Sequence, residues 1–532
     1  MQHRGYIVIL LALSSAVWAQ GEGFVDGEDE GALESRLADF REPHRFSLRW
    51  RVKGSEVEAE RLQLYQRLEW KLGTGTEFHL LTERDPGESR WADFASFYLH
   101  WRSRSRPMAV VLGDLRPGWG SGLVCGRGSG RGGVPLSHPG VDSERVGYRS
   151  SGENGSLRGI AWRYVRGGVS GMAIGGQAWR DARTDADGRV TSLPESGYHV
   201  SAREEEGRRL LRMDVGGGRL RYRREGWSLG GSMLAAGFDH SVDLRRPERK
   251  EWAFGGDGQQ LWATDGEMVW RRMEMRGEMA TDGKGKWGMV VGMRIRLGKG
   301  KLRGLVRRYD PGFYSLFGGA PSRGGMENER GYLIALERRG WSLYVDRYRR
   351  PSRTYYYPLP SVVSARGGSL KHRLGKGLTV RALYREDRQP RWREERSIAE
   401  RSRRMRVELE CRRGKGLLGR LRLEGRRLDR GEESPEFGWL IGMLGRGGWR
   451  AVNITLHCTR FRTDSYGSRL YEYEYDLPGM VSVRPLYRKG WRGYALVGLK
   501  GKRWSFNWRY RLQLDGEIRQ YGGVQIDIRL GV

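Results

Sequence analysis

The chain has 532 residues, with Lys+Arg 96 against Asp+Glu 64, a formal charge of +32, 81 Gly, 17 Pro and 3 Cys. Aperiodic Gly with so little Pro excludes a collagen-like repeat, and three Cys in this length exclude a disulfide scaffold. The 20 Trp, 24 Tyr and 13 Phe are too many for a solvated coil. Beyond the N-terminus, no run of about 20 apolar residues offers a helical membrane span.

Residues 1–19 read as a signal peptide. Arg4 supplies a positive start, Tyr6–Leu13 an apolar run, and Val17-Trp18-Ala19 a small-residue cleavage site before Gln20. Residues 20–45 form a short acidic segment, in which Glu28–Glu42 can make a helix with Leu33, Leu37 and Phe40 on one side. Export places the chain outside the cytosol.

From Phe46 to residue 532 the dominant signal is alternation. In 61–72, Leu62, Leu64, Leu68, Trp70 and Leu72 share one parity, while Arg61, Arg67, Glu69 and Lys71 hold the other. Successive side chains of a strand point to opposite faces, so such a run is a strand with one apolar and one charged face.

Residues 115–150 interrupt the pattern. Gly118, Gly120 and Gly122 lead into a stretch that includes Arg127 and Arg131. Glycine permits tight packing and positive φ, so the segment is either a surface loop or a plug folded into an interior. It lacks GxxxxGK[ST] and has no following helix pattern, so a phosphate cradle is not expected.

Alternation resumes beyond it. Met405, Val407, Leu409 and Cys411 alternate with Arg404, Arg406, Glu408, Glu410 and Arg412. Val452, Ile454, Leu456 and Cys458 alternate with polar residues that include His457. Trp504, Phe506, Trp508, Tyr510 and Leu512 alternate with Arg509 and Arg511, and the last run sets Ile526, Ile528 and Leu530 against Asp527 and Arg529. Short turns such as Gly298-Lys299-Gly300, Arg338-Arg339-Gly340, Gly414-Lys415-Gly416 and Gly445-Arg446-Gly447-Gly448 separate the strands. Longer loops are expected at 310–327, 350–358, 386–400 and 429–435. Strands of ten or more residues with one short-turn end match an all-β fold, a large antiparallel transmembrane β-barrel. Closure is required because lipid cannot satisfy a strand edge. At roughly 20 residues per strand and loop, the barrel holds about 22–26 strands.

Four local motifs add a resemblance. They are Val111–Leu123, containing Gly113 and Asp114; Gly197-Tyr198-His199; Tyr309-Asp310-Pro311-Gly312-Phe313-Tyr314 followed by Asn328, Glu329 and Gly331; and Ser468–Glu474. Their order and spacing resemble the barrel portion of Bacteroidetes-type outer-membrane proteins catalogued as helix-hairpin-helix-domain proteins, over roughly residues 105–532. The resemblance implies an outer-membrane barrel in a diderm bacterium, inserted by the barrel-assembly machinery. The helix-hairpin-helix units themselves have no counterpart in 20–45, so DNA binding is not carried over.

Arg61, Arg67, Arg404, Arg406, Arg412, Arg509, Arg511 and Arg529 are the candidate lumen-facing cations. Their acidic neighbours pair with part of that charge. The remainder gives the lumen a preference for anionic solutes, and loop arginines meet outer-membrane lipid. The nine His make no ligand spacing and there is no GxSxG, so no enzyme activity, metal or cofactor is expected. The functional expectation is a porin-like or gated passage. A structural or interaction barrel with a closed lumen is the alternative, and an exported nucleic-acid-binding β protein is a third. That third reading is disfavoured because apolar and basic residues lie on opposite strand faces.

Overall fold

The computed structural model describes residues 44–55, 62–126, 146–246, 250–414 and 416–531. The signal peptide, the acidic segment, Arg61, Arg127 and Arg131 lie outside the described residues. The main sheet has 26 strands. Two short ones, Arg183–Thr184 and Val190–Ser192, belong to a loop. The other 24 form a closed antiparallel ring. The first strand, His44–Ser55, pairs with Gln63–Leu72 on one side and with the last, Ile518–Gly531, on the other. Leu48 sits opposite both Leu68 and Ile528, so the ring has no free edge. Among the described residues, no helix is long and apolar enough to cross a membrane.

The alternation sorts the two faces of this ring. Leu112, Leu343, Met405, Met443 and Leu456 are exposed on the outside. Arg51, Arg307, Glu410, Glu424, Arg509 and Gln525 are buried inside. Cys411 and Cys458 lie on the outer face and Cys125 is buried. Outward Trp70, Trp101, Trp227, Trp270, Trp341, Trp449 and Trp504 stand at or near strand ends on the short-turn side. Amphipathic rings prefer that level of a bilayer boundary.

The short turns at Gly226, Gly298, Gly340 and Gly414 fall at this end, each with positive φ. Two sequence expectations need correction. Residues 386–400 are not a long loop: Leu378–Arg393 and Arg396–Arg413 pair up to Arg393↔Arg396. Glu394 (φ 50) and Glu395 (φ 59) alone make that turn, in the left-handed geometry of a tight hairpin. Gly445–Gly448 is not a turn either. It lies within the strand Glu436–Trp449, and the chain reverses at Arg450-Ala451. Glycine there marks a strand without side-chain bulk, which composition alone does not separate from a turn.

The other end of the ring carries the long connections, including 85–93, 116–156, 181–210, 310–328 and 464–488. Several of these fold back into the barrel.

Candidate functional site: the filled lumen

One insert is made by 116–126 together with 310–328. Trp119, Leu123, Val124, Cys125 and Phe313 are almost completely buried, and they pack on inward-facing Leu211, Leu261, Val290 and Leu305. This half of the inner wall is therefore apolar, which accounts for a core inside a membrane barrel. Glu278, on the inner face of Met273–Asp282, accepts hydrogen bonds from Ser121 N at 2.6 Å and Leu123 N at 3.1 Å. Gly120 has φ +52, and a Cβ there would lie 2.9 Å from the Glu278 carboxylate. The two loop pieces are tied to each other by Gly319 N to Gly122 O and Gly126 N to Phe317 O, both 2.8 Å. The Gly-rich segment, as far as Gly126, is a plug.

The motif residues hold this insert in place. Gly113 (φ +110) ends the pairing of its strand with Phe94–Arg102. Asp114 then accepts from Phe97 N at 2.8 Å and from Arg158 Nε at 3.0 Å. Asp310, Pro311 and Gly312 turn the chain, with Phe313 N donating to Asp310 O at 3.0 Å. Tyr314 O accepts from Gln259 Nε2 at 2.6 Å. Tyr309 OH donates to Pro321 O at 2.6 Å. Asn328 exchanges two 2.8 Å bonds with the Ser352 backbone. Glu329 accepts from Arg307, from Arg323 N at 2.9 Å and from Gly324 N at 2.8 Å. At Gly331 a Cβ would crowd the Tyr348 side chain at 2.5 Å.

A second insert is the hairpin of Leu470–Tyr475 and Val481–Leu486, which pairs only with itself. Its root is apolar: Leu470 and Leu486 pack on inward Leu440 and Phe461. Its length is charged. Glu472 accepts from Thr459 Oγ1 at 2.7 Å and lies 3.3 Å from His457 Nε2. Glu474 is fully buried against Arg492 and Arg509. Asp476 meets Lys53 at 3.1 Å and Arg509 at 3.2 Å. At the tip, Pro478 O accepts from Arg51 Nη2 at 3.0 Å.

Below the tip, towards the short-turn end, lies a cavity of about 560 Å³. Arg49, Arg446, Lys500, Lys502, Arg503 and Arg529 line it, with Asp476 and Asp527 the only acids in the lining.

Of the candidate lumen cations, Arg67 faces inward beside Glu69 at 3.6 Å. Arg404 and Arg406 converge on Glu424, at 3.7 and 2.7 Å. Arg412 pairs with Glu410 at 2.7 Å. Arg509 and Arg511 face Glu474 of the hairpin. Arg529 reaches the cavity. The wall charge is therefore largely matched by carboxylates, Arg49 of the cavity pairing with Asp527 at 2.5 Å, and the cavity lining as a whole carries more cations than acids.

Sequence reading missed a cluster in the long loops. His199 Nδ1 lies 2.5 Å from Asp93 Oδ2, 3.8 Å from Glu153 and 3.9 Å from Glu88; its Nε2 lies 3.3 Å from Asp181. Arg208 holds the second Asp93 oxygen at 2.9 Å. Burial lowers the His199 value, but the hydrogen bonds of Asp181 and Asp93 overcome it and raise it to about 10. Burial and then the Asp93 charge push Glu153 up to about 8. Four of these groups bring one ligand atom each within 4.8 Å. His199 and Arg208 stand among carboxylates drawn from separate loops, so the cluster works as an ion-pair clasp between them. The only prior signal was His199 itself, within Gly197-Tyr198-His199.

A closed, even-numbered antiparallel ring with an apolar outer belt, a polar inner wall and one short-turn end defines a transmembrane β-barrel. No family model matches the sequence, and no curated protein does. Solved structures align along most of the chain at very low identity. The P pilus usher PapC translocation pore shares 9% identity over 92% of this chain and 99% of that one, at a TM-score of 0.37. The copper transporter OprC shares 7% over 92% and 80%, at 0.45. Pseudomonas aeruginosa OccK3 (OpdO) shares 10% over 93% and 97%, at 0.27. The class assignment rests on this chain's own hydrogen-bonded ring.

Proposed function

We propose that this chain is an exported outer-membrane barrel of a diderm bacterium, placed by the barrel-assembly machinery, and that it works as a gated passage for small anionic solutes. The hairpin of 470–486 is the movable element; the insert of 116–126 and 310–328 is the fixed one. The observation that carries this is the contrast in how the two are held. The fixed insert buries large apolar side chains, each contributing about 1.5–3 kcal/mol. The hairpin beyond its root is held by buried ion pairs, which come close to breaking even against hydration. Water entering the lumen can therefore loosen the second and not the first. The cation-lined cavity beneath the tip is a vestibule in which anions gather.

Planar-bilayer recording tests this. The intact chain is expected to show infrequent, anion-selective openings. Glu472→Gln with Glu474→Gln is expected to raise open probability on the order of tenfold, as about 1.4 kcal/mol of lost fastening would. A cation-selective reversal potential sinks the proposal. Silence from both proteins favours a closed structural or interaction barrel, the reading supported by the apolar packing of the first insert.

A further inference from the structure

Strand register gathers a row of arginines on the outer wall at the long-loop end. Arg308 sits directly opposite Arg330, and Arg330 opposite Arg349. Further round the ring, Arg388 is opposite Arg401 and Arg403 opposite Arg427. The row continues to Arg460 and Arg462 on Val452–Thr463. By parity all of these share the outward face with Tyr332, Met405 and Met443, which are exposed.

Like charges placed directly across a strand pair are destabilising unless something bridges them. The wall supplies few bridges. Glu386 alone receives Arg366 at 3.2 Å, Arg388 at 2.6 Å and Arg401 at 2.8 Å, with Arg403 at 3.8 Å. Asp310 takes Arg330 at 3.5 Å, and Asp429 lies 2.8 Å from Arg427 and 3.8 Å from Arg403, so these carboxylates are still outnumbered by the arginines around them. The opposite half of the ring is balanced at the same level: Arg158 meets Asp114 at 3.0 Å and Arg212 meets Asp214 at 4.0 Å. The excess is thus an arc and not a girdle.

The height of the arc is set by the apolar belt. From Arg403 to Arg413 the outward positions are Met405, Val407, Leu409 and Cys411. Ten residues at a rise of about 3.3 Å, tilted by about 40°, span roughly 25 Å, the height of a lipid-facing band. The arc therefore stands at the boundary between hydrocarbon and headgroups. Aromatic rings lie against it: Arg308 is 4.2 Å from the Trp287 ring centre and Arg460 is 5.2 Å from that of Trp491.

We propose that this arc seats the phosphate groups of an outer-leaflet saccharolipid bearing at least two phosphates, with its acyl chains lying on the belt below. Guanidinium forks bind phosphate oxygens in pairs, and one multiply charged headgroup bridges arginines that otherwise repel. The proposal rests on the reading that the outer wall lies in a bilayer.

The test uses the full chain in detergent, with diphosphorylated lipid A, its dephosphorylated form and inorganic phosphate as probes, and flotation with phosphatidylcholine vesicles as a separate arm. Binding is read by tryptophan fluorescence. The diphosphorylated lipid is expected to bind, the dephosphorylated form at least roughly tenfold more weakly, and millimolar phosphate is expected not to displace the lipid. Arg349→Gln/Arg460→Gln/Arg462→Gln is expected to weaken binding roughly a hundredfold, at about a fivefold loss per arginine. Arg84→Gln/Arg166→Gln/Arg212→Gln, which removes outward cations off the arc, is expected to leave it within twofold. Equal binding of the two lipids, competition by phosphate alone, or an unaffected arc variant overturns the proposal. Flotation with no phosphate preference overturns only the lipid site, whereas failure to float removes the membrane reading as well.

Discussion

Asp346 on the wall strand Trp341–Arg350 accepts a hydrogen bond from Arg323 of the inserted loop at 2.5 Å, and both residues are buried. Its other oxygen takes Arg307 of the wall strand Gly300–Tyr309, two strands away, at 2.8 Å. One carboxylate thus joins the ring to the plug. Asp346→Ala removes a buried carboxylate from two buried guanidinium groups, leaving Arg307 with Glu329 and taking from Arg323 its bond to the wall, a loss of about 3–5 kcal/mol. The temperature at which the folded gel form converts to the slower one is expected to fall by several degrees. Arg323→Ala added to Asp346→Ala is expected to recover part of it. An unchanged midpoint contradicts the role assigned to Asp346.

Gly120 offers a chemical reporter of the plug. Its positive φ and the closeness of Glu278 leave no room for a side chain, so Gly120→Val is expected to displace 116–126 at a cost of about 1–3 kcal/mol. In a Cys411→Ala/Cys458→Ala background, buried Cys125 should resist a water-soluble maleimide and become reactive once Gly120 is replaced. Equal labelling of both proteins would place the segment outside the lumen.

The clasp around His199 predicts a pH dependence. Glu153 is raised from 4.5 to about 8, so its contribution is full below about pH 4.5 and is lost as pH rises through 8. His199 is raised from 6.5 to about 10, so its contribution is full below about pH 6.5 and is lost as pH rises through 10. Both act in the same direction. Amide protection of residues 193–209, corrected for intrinsic exchange, is expected to decline from pH 5 to pH 9. Glu153→Gln should flatten the lower part of that decline. Protection that grows with pH would rule the clasp out.

Leu409 lies on the outer face midway down the apolar belt, among Val407, Leu421 and Leu423. Leu409→Arg is expected to cost about 2–4 kcal/mol, the penalty for a cation at the bilayer midplane. Lys substituted for inward, exposed Asn453, which borders the basic cavity, should leave stability nearly unchanged and shift the reversal potential towards anions. Urea unfolding in lipid vesicles separates the two, and equal effects would mean that the faces are assigned wrongly.

Much of this architecture was legible in the chain. Runs such as Arg404–Arg412 and Trp504–Leu514 declare a strand and its two faces, because a period of two leaves no other arrangement that separates grease from charge. Their length and number pointed to a large closed ring. Where glycine was the only cue, the reading failed in both directions: Gly445–Gly448 was strand, and the turn at Glu394-Glu395 contained no glycine. The hairpin of 470–486 was not set apart from the wall, its first strand entering only as the motif Ser468–Glu474, since a strand inside a lumen carries the same local pattern as a strand in a wall.

The sequence by itself determined the period, the sorting of side chains and the large excess of arginine. It did so because those depend on neighbours two residues apart. Only the tertiary structure decided which strand closes the ring on His44–Ser55, that Trp119 and Phe313 meet inside it, that Glu474 finds Arg509, and that Arg330 stands between Arg308 and Arg349. Those relationships are set by register between segments far apart in the chain, and no local pattern encodes which distant partner comes to lie opposite a given residue.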